Sequence, residues 1–589
     1  MLRAGFVCTA LWVSTLASAM PCEEIRERID AGTPLGDLIA ELEASGVASA
    51  EAYVAQCLSP DIDPVPDTEI EVPGPRHSKN EPRYAPSTEI DFDGLEVQGE
   101  LVKPTGSLLL DRKRSHFSAP SPADPVPNTE HYTDYGVHPT TLTEDDFLST
   151  FSIDVDTASY TLARSKLSYG HLPPTAAVRA EEFVNWLPYD YAPPDPSSDA
   201  PFAVHMAMAP NPITPNRSIL RVALKGHMPP LERPPVHLTF LVDTSGSMNR
   251  AEKLPLAIDA LHHLVDHLGI EDTIALATYA GSHTRVLGPT PITRRTEIHR
   301  AIDSLRTGGG TAMGAGMDLA YQMASDMYLH GHENRVIVLS DGDANIGRTT
   351  HDQILASIRQ YAEEGITLTT VGFGMGNYKD TLMEQLADQG DGNYFYVDRM
   401  DEAKRIFGTE LSGTLQTIAR DVKIQVAFDP GTVRAYRLIG YENRDIADAD
   451  FRNDAVDAGE IGAGHAVTAL YSLTLRDAAR RHQRIPVATV HVRAKDPGPD
   501  VPAQEWETPY FASHRAEHFS DADSDLKIAW VAAAFAEKLR DSPHAQELDW
   551  SQLIDLARQA QRGGEADTDL LGNIVRAAEL SGEEVATAR

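Results

Sequence analysis

The residues best placed to do chemistry lie in Leu238 to Arg250, LTFLVDTSGSMNR, where an apolar run ends in Asp243, Ser245 and Ser247. These side chains offer only oxygen, one carboxylate and two hydroxyls. A hard divalent cation such as Mg²⁺ takes such oxygens in an octahedron and keeps some of its waters. Spacing alone is a weak signal, because an aspartate and a serine after a strand also serve as ordinary helix N-caps. The elements around the triplet decide what it does.

From about Val236 to about Leu415 strand-like and helix-like segments alternate. The run HLTFLVD reads as a short apolar strand. Ala251 to Leu268 follows with apolar residues at Leu254, Ala257, Ile258, Leu261, Leu264, Val265 and Leu268, which is helical spacing. Further strands are expected at Thr273–Tyr279, Arg335–Leu339, Ile366–Phe373 and Tyr394–Val397, with helices at Thr296–Leu305, Met313–Met327, His351–Glu364 and Asp380–Ala387. Such alternation predicts an α/β fold, a doubly wound, mostly parallel, Rossmann-like sheet. Ligands of these sheets gather beyond the carboxyl ends of the strands. One strand brings Asp243 to that edge. Another brings Ser340, Asp341, Gly342 and Asp343, and the glycine run Gly308 to Gly310 brings Thr311 at the mouth of a helix. Each piece has a plainer reading: the glycines as a flexible turn, and Ser340 to Asp343 as a polar turn.

Asp243-Thr244-Ser245-Gly246-Ser247, Thr311 after three glycines, and Asp341-Gly342 resemble in order and type the metal-ion-dependent adhesion motif of von Willebrand factor type A domains. The resemblance implies hydroxyl ligands from Ser245, Ser247 and Thr311. It implies that Asp243 and Asp341 bind directly or through water. Asp343 is a further acceptor or an exposed turn residue. The implied ion is Mg²⁺, with Ca²⁺ or Mn²⁺ also admitted by an all-oxygen set. Leu148 to Tyr191 and Leu438 to Tyr471 resemble the flanks of bacterial YfbK-type members, so the likeness runs from about residue 128 to the carboxyl end. What it implies is binding rather than catalysis: an ion with one open position, filled by the Asp or Glu carboxylate of a protein partner. The alternative is a structural cell-envelope protein whose ion only ties loops together.

A chain of 589 residues exceeds what one core supports. Residues 1–19 carry Arg3, an apolar stretch and Ala17-Ser18-Ala19, the pattern of a secretory leader, which predicts a periplasmic or secreted protein. No other stretch approaches about 18 uninterrupted apolar residues, so no membrane span is expected in the mature chain. Residues 20–58 read as a small helical domain stapled by Cys22 and Cys57, and 59–132 as a proline-rich disordered linker. A flanking region at 133–235, the central domain at 236–415 and a second flank at 416–589 complete the expected organisation. Alternating strands at Phe202–Ala209 and Ile219–Leu224, and again at Val422–Phe428, Val433–Ile439, Val467–Leu475 and Ile485–Val492, predict one antiparallel β-unit with the central domain inserted. The tail reads as helices.

A net charge of −36 argues against a nucleic-acid partner, which needs clustered Lys and Arg. Enzymatic signatures are missing: no Gly-x-Ser-x-Gly surrounds Ser245 or Ser247, the glycine run lacks a following Gly-Lys-Ser/Thr, and no His-Glu-x-x-His occurs. His330-Gly331-His332-Glu333 precedes a strand and falls at the wrong sheet edge for the Asp243 group. His262, His263 and His267 share one helix and read as solvated or partly packed. Asp154 and Asp156 read as edge-strand aspartates or a second cation site.

Overall fold

A computed structural model describes residues 130–582, apart from 196, 229–233, 343–350, 377, 410–412, 414, 478–483 and 498–500. The expected leader, the cysteine-stapled helices, nearly all of the linker and Asp343 lie outside the described residues. The last three linker residues, 130–132, are tied to the folded chain, although His131 stays exposed. Glu130 accepts the Gly376 amide at 2.8 Å and pairs with Lys166, and the His131 amide donates to the Tyr378 carbonyl at 3.1 Å.

Two short strands, β1 (Thr141–Leu142) and β2 (Leu148–Ser152), are followed by helices α1 (Ala158–Ser168) and α2 (Ala180–Asn185) and by strands β3 (Phe202–Pro210) and β4 (Arg217–Gly226). Strand β4 has a side-chain period of two. Leu220, Val222 and Leu224 enter one core and Ile219 another, because both faces of the strand are covered.

The central unit then runs β5 (Val236–Asp243), α3 (Leu254–His267), β6 (Thr273–Tyr279), β7 (His283–Pro291), α4 (Arg295–Asp303), α5 (Met313–Asp326), β8 (Glu333–Ser340), α6 (His351–Glu363), β9 (Ile366–Phe373), α7 (Asp380–Asp388), β10 (Tyr394–Val397) and α8 (Met400–Lys404). The sheet order is β10-β9-β8-β5-β6-β7, parallel except for β7. Every residue of β5 is buried, as expected of a central parallel strand covered on both faces. Leu254, Ala257, Leu261, Leu264 and Val265 of α3 pack on one face with Ile298 and Ile302 of α4; Met317, Ala320 and Tyr321 of α5 and Ile358 of α6 cover the other. This is the doubly wound α/β fold expected from the alternation. Strand β7 was not expected: its sequence, HTRVLGPTP, is largely exposed at the sheet edge and has no apolar alternation to mark it.

The remaining strands are β11 (Thr417–Phe428), β12 (Val433–Ile439), β13 (Ile461–Gly462), β14 (Ala466–Leu475), β15 (Pro486–Lys495) and β16 (Gln504–Phe511). They join the earlier strands in two antiparallel sheets that share a core, the antiparallel β-unit with the central domain inserted. The first has the order β1-β12-β14-β4-β3; the second runs β13-β11-β15-β16, with β2 also paired to β11. Val222, Leu224, Val426, Tyr471 and Val490 share the core between them. Helices α9 (Ser524–Leu539), α10 (Trp550–Ala560) and α11 (Glu565–Leu580), together with α1 and α2, cover the outer face of the first sheet. Among the described residues no helix is long and apolar enough to cross a membrane.

Candidate metal centre

The carboxyl edge of the central sheet is assembled by register. Strand β5 lies between β6 and β8, so Asp243 sits level with Tyr279 on one side and next to Ser340 on the other. A relay of hydroxyls fixes the carboxylate. Tyr279 OH donates to Ser340 Oγ at 2.9 Å, as does the Gly342 amide, and Ser340 Oγ donates to Asp243 Oδ2 at 3.1 Å. The Ser245 amide donates to Asp243 Oδ1 at 2.8 Å, turning the loop back over the strand end. Asp243 is fully buried, and burial pushes its carboxyl up to about 6. Hydrogen bonds from Ser245 and Ser340 oppose that rise, and the neighbouring charge of Asp341 adds to it.

Ser245 Oγ and Ser247 Oγ lie 2.9 Å apart. Ligands at right angles around an ion about 2.05 Å away would also sit about 2.9 Å apart, so the hydroxyl pair has the spacing of an octahedral Mg²⁺ edge. The fully buried Met248 anchors this loop in the core below. The glycine turn docks against the same loop, through the Gly308 amide to the Thr244 carbonyl at 2.8 Å and the Gly246 amide to the Gly309 carbonyl at 3.2 Å. Thr311 follows directly and stays half-exposed ahead of α5. Asp341, fully buried, leaves the end of β8. Gly342 after it has φ +73, and a Cβ there would stand 2.7 Å from the Lys379 amide nitrogen, so the turn requires glycine.

The structure therefore brings Asp243, Ser245, Ser247, Asp341 and the turn bearing Thr311 to one edge. It adds Tyr279 and Lys253, which the sequence did not single out, and gives Ser340, already expected at this edge, an orienting role. Tyr279 and Ser340 orient Asp243. Lys253, at the start of α3, places Nζ 2.8 Å from Asp341 Oδ2. Each looks unremarkable in sequence, a strand tyrosine, a strand-end serine and a lysine near a helix terminus, so only the fold reveals the role. The donor set near Asp243 holds hard oxygens alone, and two buried carboxylates there invite a cation.

The other candidates lie elsewhere. His332 packs at 4.8 Å from His237 at the amino ends of β8 and β5, opposite Asp243. His262 and His299 meet on the outer side of α3 and α4, each hydrogen-bonded to an aspartate. Asp154 and Asp156 are not on an edge strand. They lie past β2, both buried, on a cavity of about 280 Å³ that Asp388, Arg444, Asp457 and Glu460 also line. Arg444 reaches Asp154 at 3.2 Å, Asp156 at 3.4 Å and Asp388 at 2.9 Å. Among the described residues, Asp391, Asp457 and Glu460 are the one grouping of three potential metal-binding side chains drawn from His, Cys, Asp and Glu.

A family model described as von Willebrand factor type A domain matches residues 237–409. One described as von Willebrand factor matches 126–221, and one described as Uncharacterized protein YfbK, C-terminal, matches 413–579. The chain is 36% identical over 505 residues to Uncharacterized protein YfbK of Escherichia coli (strain K12), spanning 83% of this chain and 86% of that protein. It is 28% identical over 178 residues to Uncharacterized protein sll0103 of Synechocystis, spanning 30% of this chain and 40% of that one. A solved von Willebrand factor type A protein from Catenulispora acidiphila is similar over 63% of this chain and 89% of its own, at 18% identity and a TM-score of 0.37. Likeness to the Escherichia coli protein reaches through both flanks as well as the central unit, and on that ground the chain belongs to the YfbK-like family of von Willebrand factor type A proteins.

Proposed function

We propose that the edge formed by Asp243, Ser245, Ser247, Thr311 and Asp341 holds a divalent cation, Mg²⁺ first and Ca²⁺ or Mn²⁺ as other oxygen-seeking ions, and that the protein uses it to bind other proteins. Bound there, the ion offers an open coordination position to the carboxylate of a partner's Asp or Glu. The chain's own residues do the rest. Ser340 and the Ser245 amide hold Asp243 in one orientation, Met248 anchors the hydroxyl loop, and the glycine turn presents Thr311. The observation that carries the reading is the 2.9 Å hydroxyl pair beside a fully buried carboxylate at the carboxyl edge of the central strand.

Binding is favoured over catalysis because Ser245 and Ser247 hydrogen-bond to one another, with no histidine bonded to either hydroxyl among the described residues. We further propose that residues 1–19 direct export, so that the mature protein works in the periplasm or outside the cell. The domain ranges read from sequence remain part of this proposal.

The test is a capture experiment from envelope extract using mature protein with Mg²⁺, with chelator, and as the Asp243→Ala variant. Partners retained only by wild-type protein with Mg²⁺ support an ion-bridged interface. Equal capture in all three arms would reject the bridge and leave the ion, if bound, a loop-tying role in an envelope structural protein.

A further inference from the structure

Lys253 is an unusual neighbour for a cation site. Its ammonium lies 2.8 Å from Asp341 Oδ2, and the residue is only 2% exposed. Two features hold it there. Lys253 is the N-cap residue of α3, so its backbone is fixed by the helix that packs under the sheet. Its stem also runs against Gly374, where φ is +71 and any Cβ would collide with the lysine Cγ and Cε. Gly374 is tied in turn by its carbonyl, which accepts from Tyr396 OH at 2.8 Å. Lys253 therefore cannot swing to solvent without displacing the loop after β9.

Charge balance gives this fixed ammonium a function. Asp243 and Asp341 together match the charge of a dication, which would leave a neutral site with no electrostatic demand for an anionic ligand. A partner carboxylate entering such a site would leave a buried net negative charge, costly at low dielectric. With Lys253 included, the loaded site carries one positive charge, and one carboxylate neutralises it. Resting on the proposed function above, we infer that Lys253 is a specificity-determining residue: its fixed positive charge makes the loaded site select a carboxylate over a neutral oxygen ligand. The same charge must weaken the ion's own affinity, because it repels the ion and draws on Asp341. The inference thus requires two effects of opposite sign from a single substitution.

The experiment uses full-length mature protein with Mn²⁺ as the probe ion, followed by water-proton relaxation, and acetate as the probe carboxylate, which displaces bound water and lowers the relaxation. Lys253→Met should bind Mn²⁺ at least about tenfold more tightly and, once loaded, take acetate at least about tenfold more weakly, the scale of one unit charge about 4 Å away even when screened nearly as in bulk water. Lys253→Arg, which keeps the charge, should restore the wild-type order. Circular dichroism melts of each variant show whether it is folded. Unchanged acetate affinity in folded, loaded Lys253→Met would overturn the inference. So would loss of Mn²⁺ binding in that variant, which would make Lys253 a prop for Asp341. Absence of Mn²⁺ binding by wild-type protein would instead reject the cation site itself, and the inference with it.

Discussion

Two groups of buried carboxylates lie around the central sheet, and they differ in what neutralises them. At the carboxyl edge, Asp243 and Asp341 meet hydroxyls, amides and one ammonium. Around β10 and α7 and in the adjoining flank, carboxylates are gripped by arginine forks. Arg444 spans Asp154, Asp156 and Asp388, while Arg179 binds Asp380 at 2.6 Å and also pairs with Glu182. Nearby, Arg164 binds Asp398 at 2.6 Å, Glu402 at 2.9 Å and Asp569 of α11 at 3.1 Å. Guanidinium is always charged and matches carboxylates through several donors, so it fastens one part of the chain to another. Hydroxyls orient a carboxylate without neutralising it. An acidic cluster is thus interpreted by its partners: arginines mark an assembly joint, and hydroxyls leave the carboxylate charge open to the cation proposed above.

The sharpest way to break this contrast is to remove the fork. Arg444→Met should destabilise the fold by about 3–5 kcal/mol, the usual cost of stranding a buried charge. A shift of the thermal or denaturant midpoint measures it, and a variant as stable as wild type would show that these carboxylates need no clamp. The next effect belongs to the carboxyl edge. Mg²⁺ at a hundred times its dissociation constant should stabilise the wild type by about 2.7 kcal/mol and leave Asp243→Ala unmoved. Without the ion, Asp243→Ala should be no less stable than wild type, because it removes a carboxyl that burial already pushes up to about 6. Calorimetric scans with and without Mg²⁺ check both statements.

Acidity gives the smallest effect and sharpens the comparison. Burial pushes Glu182 up to about 8 and Glu384 up to about 7, with Arg179 opposing in both cases. Their folded values exceed the unfolded one. Their contribution to stability is therefore present in full at low pH, below the unfolded value, and is lost as pH rises through about 7 to 8. Asp243 behaves the same way in ion-free protein, its contribution fading as pH rises through about 6. The ion, however, must compete with that proton. Lowering the pH from 7.5 to about 5.5 should raise ion-free stability from these groups while weakening Mg²⁺ binding. Titration calorimetry alongside melts at the two pH values follows both, and parallel movement would contradict the distinction.

The edge proposed to hold a cation is legible in the sequence because that chemistry tolerates few residue types. DTSGS, GGGT and SDG each hold their place, and the continuous apolar runs of β5, β8 and β9 mark buried parallel strands. The arginine joints are invisible there, since Arg444 meets Asp154 across a sequence separation of 290. Strand β16, QEWETPYF, is half exposed and lacks a full apolar face, so it escapes a period-two reading. Lys253 escapes for another reason. A lysine at a helix start ordinarily faces water, and only the close approach of Gly374 and Asp341 makes it a buried cation.

The position of Asp243 has a mechanical consequence. Strand β5 is zipped in parallel register to β6 from His237 to Asp243 and to β8 from Val236 to Val242. A partner tugging on an ion at the tip of β5 would load both ladders along their length. Hydrogen bonds in such shear must yield together instead of peeling one by one. The strand proposed to carry the attachment point is therefore, with β8, one of the two held by long parallel ladders on both sides and best seated to bear tension.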